Sequence, residues 1–143
     1  MIDGQGGKIG RELVSLAAAR CPGAEIWAVG TNSAATAAMM KAAPTRAATG
    51  ENAVCVACRR ADVIAGPLGI VIADAMLGEI TPAMAAAVGQ ADAVRLLIPL
   101  NRCENLVAGV PDVPLKVLLA DAGAHLAALA AGAQTAGADP AAR

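Results

Sequence analysis

The chain has 143 residues, of which 57% are hydrophobic and only 1% aromatic, and Trp27 is the single aromatic residue. A chain of this length accommodates one domain, whose core must be built from Ala, Val, Leu, Ile and Met. Lysine and arginine total 11 against 12 acidic residues, the net charge is −1, and like charges do not cluster. This balance argues against nucleic acid as a partner.

Neither a membrane span nor a secretory signal is expected. The apolar run at residues 63–73 is too short to cross a bilayer and contains Gly66, Pro67 and Gly69. No charged leader with a cleavage site precedes it, so we predict a soluble cytoplasmic protein with no membrane partner. Without a secretory signal, the four cysteines are expected to be reduced thiols.

The first half of the chain predicts helices that alternate with strands. Apolar residues three and four apart after the first glycines indicate a helix that ends near Cys21. A buried strand is predicted over residues 25–30, then a helix over 33–43 with Ser33 as its N-cap. Residues 44–52 are polar and predict a loop.

The second half continues the alternation. Thr81 and Pro82 are typical of an N-cap and the first position of a helix. The predicted elements are, in order, a helix over 53–60, a strand over 62–66, a short buried helix over 69–77, a helix from Pro82, strands over 93–99 and 105–110, and a final helix over 114–132. We therefore place one domain at residues 1–132 and a flexible tail at 133–143.

Alternating strands and helices, with strands apolar throughout, predict a parallel sheet covered on both faces. The fold class we expect is α/β: a three-layer, doubly wound, mostly parallel sheet of about five strands, which is Rossmann-like. We expect the first strand to be truncated, because only Met1 and Ile2 precede Asp3 and the glycine turn that such a strand leads into. We expect Met1 to be an internal residue of a longer natural protein, and a chain extended upstream to melt at a higher temperature.

The opening sequence MIDGQGGKIG predicts a turn that cradles an anion. Glycine permits positive φ and lets backbone N–H groups approach a phosphate at a helix N-terminus. Gly4, Gly7 and Gly10 follow a G-x-x-G-x-x-G spacing, and Ile9 excludes both the strict dinucleotide pattern and a P-loop. The candidate binding residues of the turn are Gly4, Gln5, Gly6, Gly7 and Gly10. The alternative is that these glycines serve only close packing of strand and helix.

The end of the second strand lacks the acidic residue that binds ribose in NAD sites. Gly30, Thr31 and Asn32 stand there instead, and no arginine follows them for NADP. Some other nucleotide, or another phosphorylated or anionic small molecule, is therefore favoured over a dinucleotide. The remaining candidates for binding it lie on loops expected at the same edge of the sheet: Thr31, Asn32, Arg46, Gly66, Asn101 and Arg102.

The carboxylates near this edge have different expected roles. We expect Asp3 to hold a ribose hydroxyl or a metal-bound water, which makes it a candidate catalytic residue. Asp74 lies within an apolar run and is expected to face the site, whereas Glu79 is expected at a surface turn. The Cys55–Cys58 pair has no second pair for zinc, so no metal site is predicted.

Two alternatives to ligand binding remain open. Cys103 follows Arg102, whose guanidinium lowers a thiol pKa, so the protein is alternatively a cysteine-dependent enzyme or redox sensor. In that case Cys103 is alkylated faster than Cys55 or Cys58. The chain has no tyrosine for a short-chain dehydrogenase, and His125 is expected far from the site. The other alternative is a ligandless homo-oligomeric module, which sedimentation would detect.

Several separated stretches resemble one family of small bacterial proteins. They are IDGQGGKIG, GTNSAATAAMMKA, TRAATGENA, ADVIAGPLGIVIADAMLGEITPAMA and LIPLNRC. Together they resemble the family catalogued as domain of unknown function 3842, over residues 2 to 120 approximately. Cys103 belongs to the last stretch. The resemblance implies a shared fold and carries no established activity.

Overall fold

The computed structural model describes residues 1–100 and 105–137 of the chain. Within them lie five strands, five α-helices and a 3₁₀ helix at Leu68–Val71. The strands are β1 (Ile2–Asp3), β2 (Trp27–Gly30), β3 (Arg46–Thr49), β4 (Val63–Pro67) and β5 (Val94–Ile98). The helices are α1 (Lys8–Arg20), α2 (Ser33–Met40), α3 (Glu51–Cys58), α4 (Pro82–Gln90) and α5 (Leu115–Gly137). The prediction of a mixed α/β protein is confirmed.

The strands form two small parallel sheets. One has the order β1-β2-β3, with Ile2 opposite Val29, and the other pairs β4 with β5. The sheets approach each other at β1 and β4, because a Cβ on Gly66 would collide with the carbonyl oxygen of Ile2. β1 is the shortest strand, and the ammonium group of Met1 donates to the Trp27 carbonyl oxygen at 2.7 Å.

Successive strand residues alternate between apolar clusters on opposite sides of the strands. Val29 and Ile64 pack with residues of α3 and α4, including Val54 and Val88. Ala28 and Ala65 belong to the clusters that hold α1, α2 and α5. These small strand residues let α1 pack closely, as the scarcity of large side chains predicts.

The predictions of α1 from its apolar periodicity and of the start of α4 from its capping residues are confirmed. Leu13 and Ala17, four apart in the predicted α1 stripe, are buried. Thr81 accepts the Met84 N–H at 3.1 Å through its hydroxyl, and Pro82 occupies the first helical position of α4. The N-cap of α2 is Asn32 rather than Ser33, because the Asn32 side-chain oxygen accepts the Ala35 N–H at 2.8 Å.

Strand β3 replaces the middle of the predicted loop at 44–52. Its sequence Arg-Ala-Ala-Thr has little intrinsic strand preference and is largely exposed. Pairing with β2 specifies the strand instead: Trp27 lies opposite Arg46, and the Thr45 hydroxyl accepts the Ile26 N–H at 3.0 Å. Tertiary pairing of this kind leaves no apolar signal in the sequence.

The strand predicted over residues 105–110 is wrong. Leu106 is 91% exposed, and the Val110 N–H donates to the Val107 carbonyl oxygen at 3.2 Å across a turn. Gly109, with φ of +79°, makes this turn possible. A run of apolar residues therefore lies on the surface instead of in a sheet.

The buried helix predicted over residues 69–77 is also wrong. Only a 3₁₀ helix forms at Leu68–Val71, and turns follow it. Asp74, Met76 and Leu77 take positive φ values between +59° and +64°, which end any right-handed helix.

Helix α5 is long and exposed. Its stretch Leu115–Gly132 has a mean hydropathy of 1.4 with 17% of it buried, and is long and apolar enough to cross a membrane by those two measures alone. Core helices of soluble proteins also meet these measures, and α5 packs on α1 and β5 through Ala122 and Leu126. The helix continues to Gly137, five residues into the predicted tail, and residues 138–143 lie outside the described ones.

Candidate functional site

The glycine turn joins β1 to α1 at the carboxyl end of the β1-β2-β3 sheet. Gly7 has φ of +67°, forms the N-cap of α1, and donates its N–H to the Gly4 carbonyl oxygen at 2.9 Å. A Cβ at Gly7 would meet the backbone of Ala35 at 2.5 Å, so a side chain is excluded both by conformation and by space. Gln5 also has positive φ, +49°.

Asp3 holds this turn from beneath. The residue is only 4% exposed, and its carboxylate oxygens accept the N–H groups of Gly4 at 2.8 Å and Gly10 at 2.7 Å. Burial raises the pKa of Asp3, the backbone N–H groups of Gly10, Gly4 and Ile9 oppose this rise, and the charge of Glu79 adds to it. The structure thus gives Asp3 a role in shaping the turn, while its catalytic role stays a prediction.

Glu79 is the site residue that sequence reasoning missed. One carboxylate oxygen, Oε2, accepts the Gln5 N–H at 2.7 Å, the Thr31 hydroxyl at 2.6 Å and the Asn32 side-chain N–H at 2.9 Å. Burial works to raise the pKa of Glu79, but these three donors outweigh it and hold the pKa below its usual 4.5. The carboxylate is therefore ionised at neutral pH. Its one signal in the sequence is that its loop follows β4, whose carboxyl end we expected at the site.

The loop over residues 72–80 brings Glu79 to the glycine turn. It is closed at its neck by the Asp74 N–H, which donates to the Ile80 carbonyl oxygen at 2.7 Å. Gly4 leaves room for this loop, because a Cβ there would lie 2.7 Å from the Met76 sulfur and 2.8 Å from Glu79 Oε2. Asp74 was expected to face the site but is exposed, whereas Glu79, which was expected at a surface turn, contacts the glycine turn.

Thr31 and Asn32 meet the glycine turn, as predicted from their place after β2. The Thr31 N–H donates to the Asp3 carbonyl oxygen at 3.0 Å, and Asn32 donates to the Gln5 carbonyl oxygen at 3.1 Å. Asn32 also caps α2, so the start of that helix and the glycine turn share one amide side chain. Gln5, Thr31, Asn32 and Glu79 form a cluster, which we call the edge cluster.

Other predicted residues lie elsewhere. Arg46 begins β3 opposite Trp27, at the amino end of the sheet, where it pairs with Glu25 and lies over the Trp27 ring. This placement does not support a shared ligand with the glycine turn. Gly66 lies within β4, where it provides room for Ile2 rather than a contact for a ligand. Asn101, Arg102 and the catalytic candidate Cys103 lie outside the described residues.

A cavity of about 680 Å³ lies at the opposite end of the strands. It extends between β2 and β4 beside the start of β1, lined by residues such as Trp27, Ile64 and Leu126. The Met1 ammonium group borders it, and burial lowers its pKa to about 6, with a small opposing effect from Cys58. No residue of the glycine turn lines this cavity. The edge cluster is instead an open, polar surface.

The described residues include three free cysteines and one histidine. Within the described part of the chain, no group of three or more His, Cys, Asp and Glu side chains is arranged to hold a metal ion. Cys21 and Cys58 are buried free thiols, and burial raises the pKa of both. His125 is exposed and lies 3.5 Å from Asp121 on α5.

Comparison with known proteins gives a family and no activity. Searches of curated proteins and of solved structures return no significant match. The family model described as Domain of unknown function (DUF3842) matches residues 1–131. It spans β1 to the greater part of α5, including the glycine turn and the edge cluster. The chain belongs to the DUF3842 family.

Proposed function

We propose that this protein binds a small phosphorylated ligand of nucleotide type at the glycine turn. The observation that carries the proposal is the pair of backbone donors at Gly6 and Lys8. Both residues are exposed, and neither N–H makes a hydrogen bond within residues 1–100 or 105–137. The N-cap residue Gly7 has no side chain, and the Asp3 carboxylate accepts the Gly10 N–H from beneath, so the Lys8 N–H stays open to solvent at the start of α1. Free N–H groups at a glycine turn and helix start favour a phosphate.

The rest of the turn is already engaged and gives the site its shape. Asp3 fixes the N–H groups of Gly4 and Gly10, and Glu79 accepts that of Gln5. The phosphate therefore belongs on the Gly6 and Lys8 side of the turn, where the Lys8 side chain adds a positive charge. The sugar or base of the ligand then extends toward Thr31 and Asn32.

The proposed site depends on how the five strands are ordered. We infer that the two small sheets act as one doubly wound, Rossmann-like sheet with the order β3-β2-β1-β4-β5 and helices on both faces. The close approach of Gly66 to Ile2 supports this, as do apolar clusters on both sides of the strands. In this order β2 and β3 lie on one side of β1, and β4 and β5 lie on the other. The switch point between β1 and β4 is where such folds bind ligands.

The partner in this proposal is a small anion in the cytoplasm, rather than a nucleic acid or a membrane. The net charge of −1 without basic clusters agrees with that choice. Self-association is compatible with it, since Val117 on α5 and Leu106 before it are exposed.

Isothermal titration calorimetry with the common nucleotides and dinucleotides tests the proposal. The diagnostic variant is Lys8→Glu, which places an acid where the helix dipole favours it but where it repels a phosphate. Lys41→Glu, at the end of α2, makes the same change in net charge away from the turn. We expect saturable binding that weakens at least tenfold in Lys8→Glu and changes little in Lys41→Glu. Absence of binding, or equal losses in the two variants, contradicts the proposal.

A further inference from the structure

Glu79 provides a carboxylate at the end of β2, where the chain itself has Gly30, Thr31 and Asn32. The acid comes from the loop over residues 72–80, which follows β4, and contacts the side chains of Thr31 and Asn32. It also contacts the glycine turn through the Gln5 N–H. The acidic residue that the sequence lacks at the end of β2 is thus replaced in the fold by Glu79 from the loop after β4.

We propose that Glu79 is a recognition residue that accepts a hydrogen bond from a ligand hydroxyl, so that the protein selects ribonucleotides over ligands lacking the ribose diol. This inference rests on the proposed function, because it assigns the second half of the same ligand. Its evidence is the geometry of the edge cluster, in which one carboxylate oxygen is fully used and the other is not.

The three donors hold the carboxylate in one orientation. Gln5, Thr31 and Asn32 all donate to Oε2, at 2.6–2.9 Å, and no hydrogen bond to Oε1 is made within the described part of the chain. Glu79 remains partly exposed, so a ligand can reach it. A fixed, ionised acceptor with a vacant oxygen suits a neutral hydroxyl donor.

Charge argues against a phosphate at this position. Asp3 and Glu79 are close enough for the charge of Glu79 to raise the pKa of Asp3. A phosphate that took the Gln5 N–H would have to displace one carboxylate and lie close to another. The free donors at Gly6 and Lys8 are not among the groups that Asp3 and Glu79 accept, so a phosphate bound there displaces neither carboxylate.

The loop over residues 72–80, which carries Glu79, contains strained backbone. Asp74, Met76 and Leu77 all have positive φ, which costs conformational energy for residues other than glycine. Buried Met76 anchors the strained segment from within and buried Ile80 anchors the loop after it, and the Ile80 N–H donates to the Ala75 carbonyl oxygen at 3.2 Å. Retaining this strain is consistent with precise placement of Glu79.

Calorimetry with matched probes tests the inference. The probes are the four common ribonucleoside 5′-monophosphates, their 2′,3′-dideoxy counterparts and inorganic pyrophosphate. We expect the wild type to bind at least one ribonucleotide about tenfold more tightly than its dideoxy form, as one hydrogen bond to a charged group provides. Glu79→Ala should bring this ratio close to one. Glu12→Gln, in an exposed pair with Arg11, is the control and should keep the ratio.

Glu79→Gln guards against misfolding of the alanine variant, because its side-chain oxygen still accepts the three donors. It should lower the ratio without lowering the melting temperature by more than a few degrees. A ratio that persists in both variants overturns the inference and leaves the proposed function intact. Tighter binding of pyrophosphate to Glu79→Ala than to Glu79→Gln also overturns it, because both variants lose the charge but only the alanine variant frees the Gln5 N–H for the phosphate. If the wild type binds none of these probes, both proposals fail.

Discussion

Replacing Asp3 by asparagine tests the idea that one buried carboxylate shapes the glycine turn. Asp3 is 4% exposed and accepts the N–H groups of Gly4 and Gly10 through different oxygens. Asparagine keeps one acceptor and turns the other into an N–H donor, which then faces a backbone donor. One of the two backbone N–H groups is left without a partner.

The magnitude follows from these contacts. A hydrogen bond to a charged group contributes about 1.5–3 kcal/mol, and an unsatisfied buried donor costs about 1–3 kcal/mol. Removing a buried charge returns part of this, because burial already disfavours the ionised form of Asp3. The net loss should be about 2–4 kcal/mol, or roughly 10 °C in melting temperature for a chain of this size.

Urea unfolding at several pH values measures the loss. The raised pKa of Asp3 means that the folded state binds this proton more tightly than the unfolded state. Its contribution to wild-type stability is therefore largest below pH 3.8 and falls as the pH rises through the folded pKa. Asp3→Asn lacks this dependence.

Asp92→Asn, an exposed carboxylate between α4 and β5, is the matched control and should change stability by less than about 0.5 kcal/mol. If Asp3→Asn were as mild as Asp92→Asn, the carboxylate would not be holding the turn. A loss of ligand binding without a loss of stability would instead favour the direct ligand or catalytic role predicted from the sequence.

Two further predictions concern β1 and its neighbours. Gly66→Ala should destabilise the protein by at least about 2 kcal/mol, because the new Cβ collides with the Ile2 carbonyl oxygen. The control Gly89→Ala, on the open side of α4, should stabilise the protein slightly. Equal effects of the two variants in urea unfolding would contradict the close contact between β4 and β1. The Met1 ammonium group titrates near pH 6 in the folded state and at 8.0 unfolded, so the unfolded chain binds more protons between these values. The free energy of unfolding should therefore rise by up to about 2–3 kcal/mol from pH 6 to 8, and an Nα-acetylated chain should lose this rise. If the free energy of unfolding depended on pH equally in both chains, a group other than the Met1 ammonium would be responsible.

Local signals in the sequence predicted the parts of the fold that depend on local chemistry. The apolar spacing through Leu13 and Ala17 predicted α1, and Thr81 with Pro82 predicted the start of α4. The glycine turn and its contact with Thr31 were also predictable, because the ends of neighbouring parallel strands share an edge.

The remaining parts depend on contacts between distant residues. Strand β3 is rich in alanine and forms because β2 pairs with it. Glu79 lies 74 residues from Gln5 in the sequence, and no periodicity connects them. The apolar residues after Asn105 resembled a strand in composition, but composition cannot tell a buried run from an exposed turn.

The most direct test of the central claim is a two-dimensional ¹H–¹⁵N NMR titration of the labelled protein with a ribonucleoside monophosphate. The account predicts that the amide signals of Gly6 and Lys8 shift most, with smaller changes at Thr31, and that signals from the cavity at Trp27 and Ile64 stay in place. Shifts concentrated at that cavity, or no shifts at millimolar nucleotide, would contradict it.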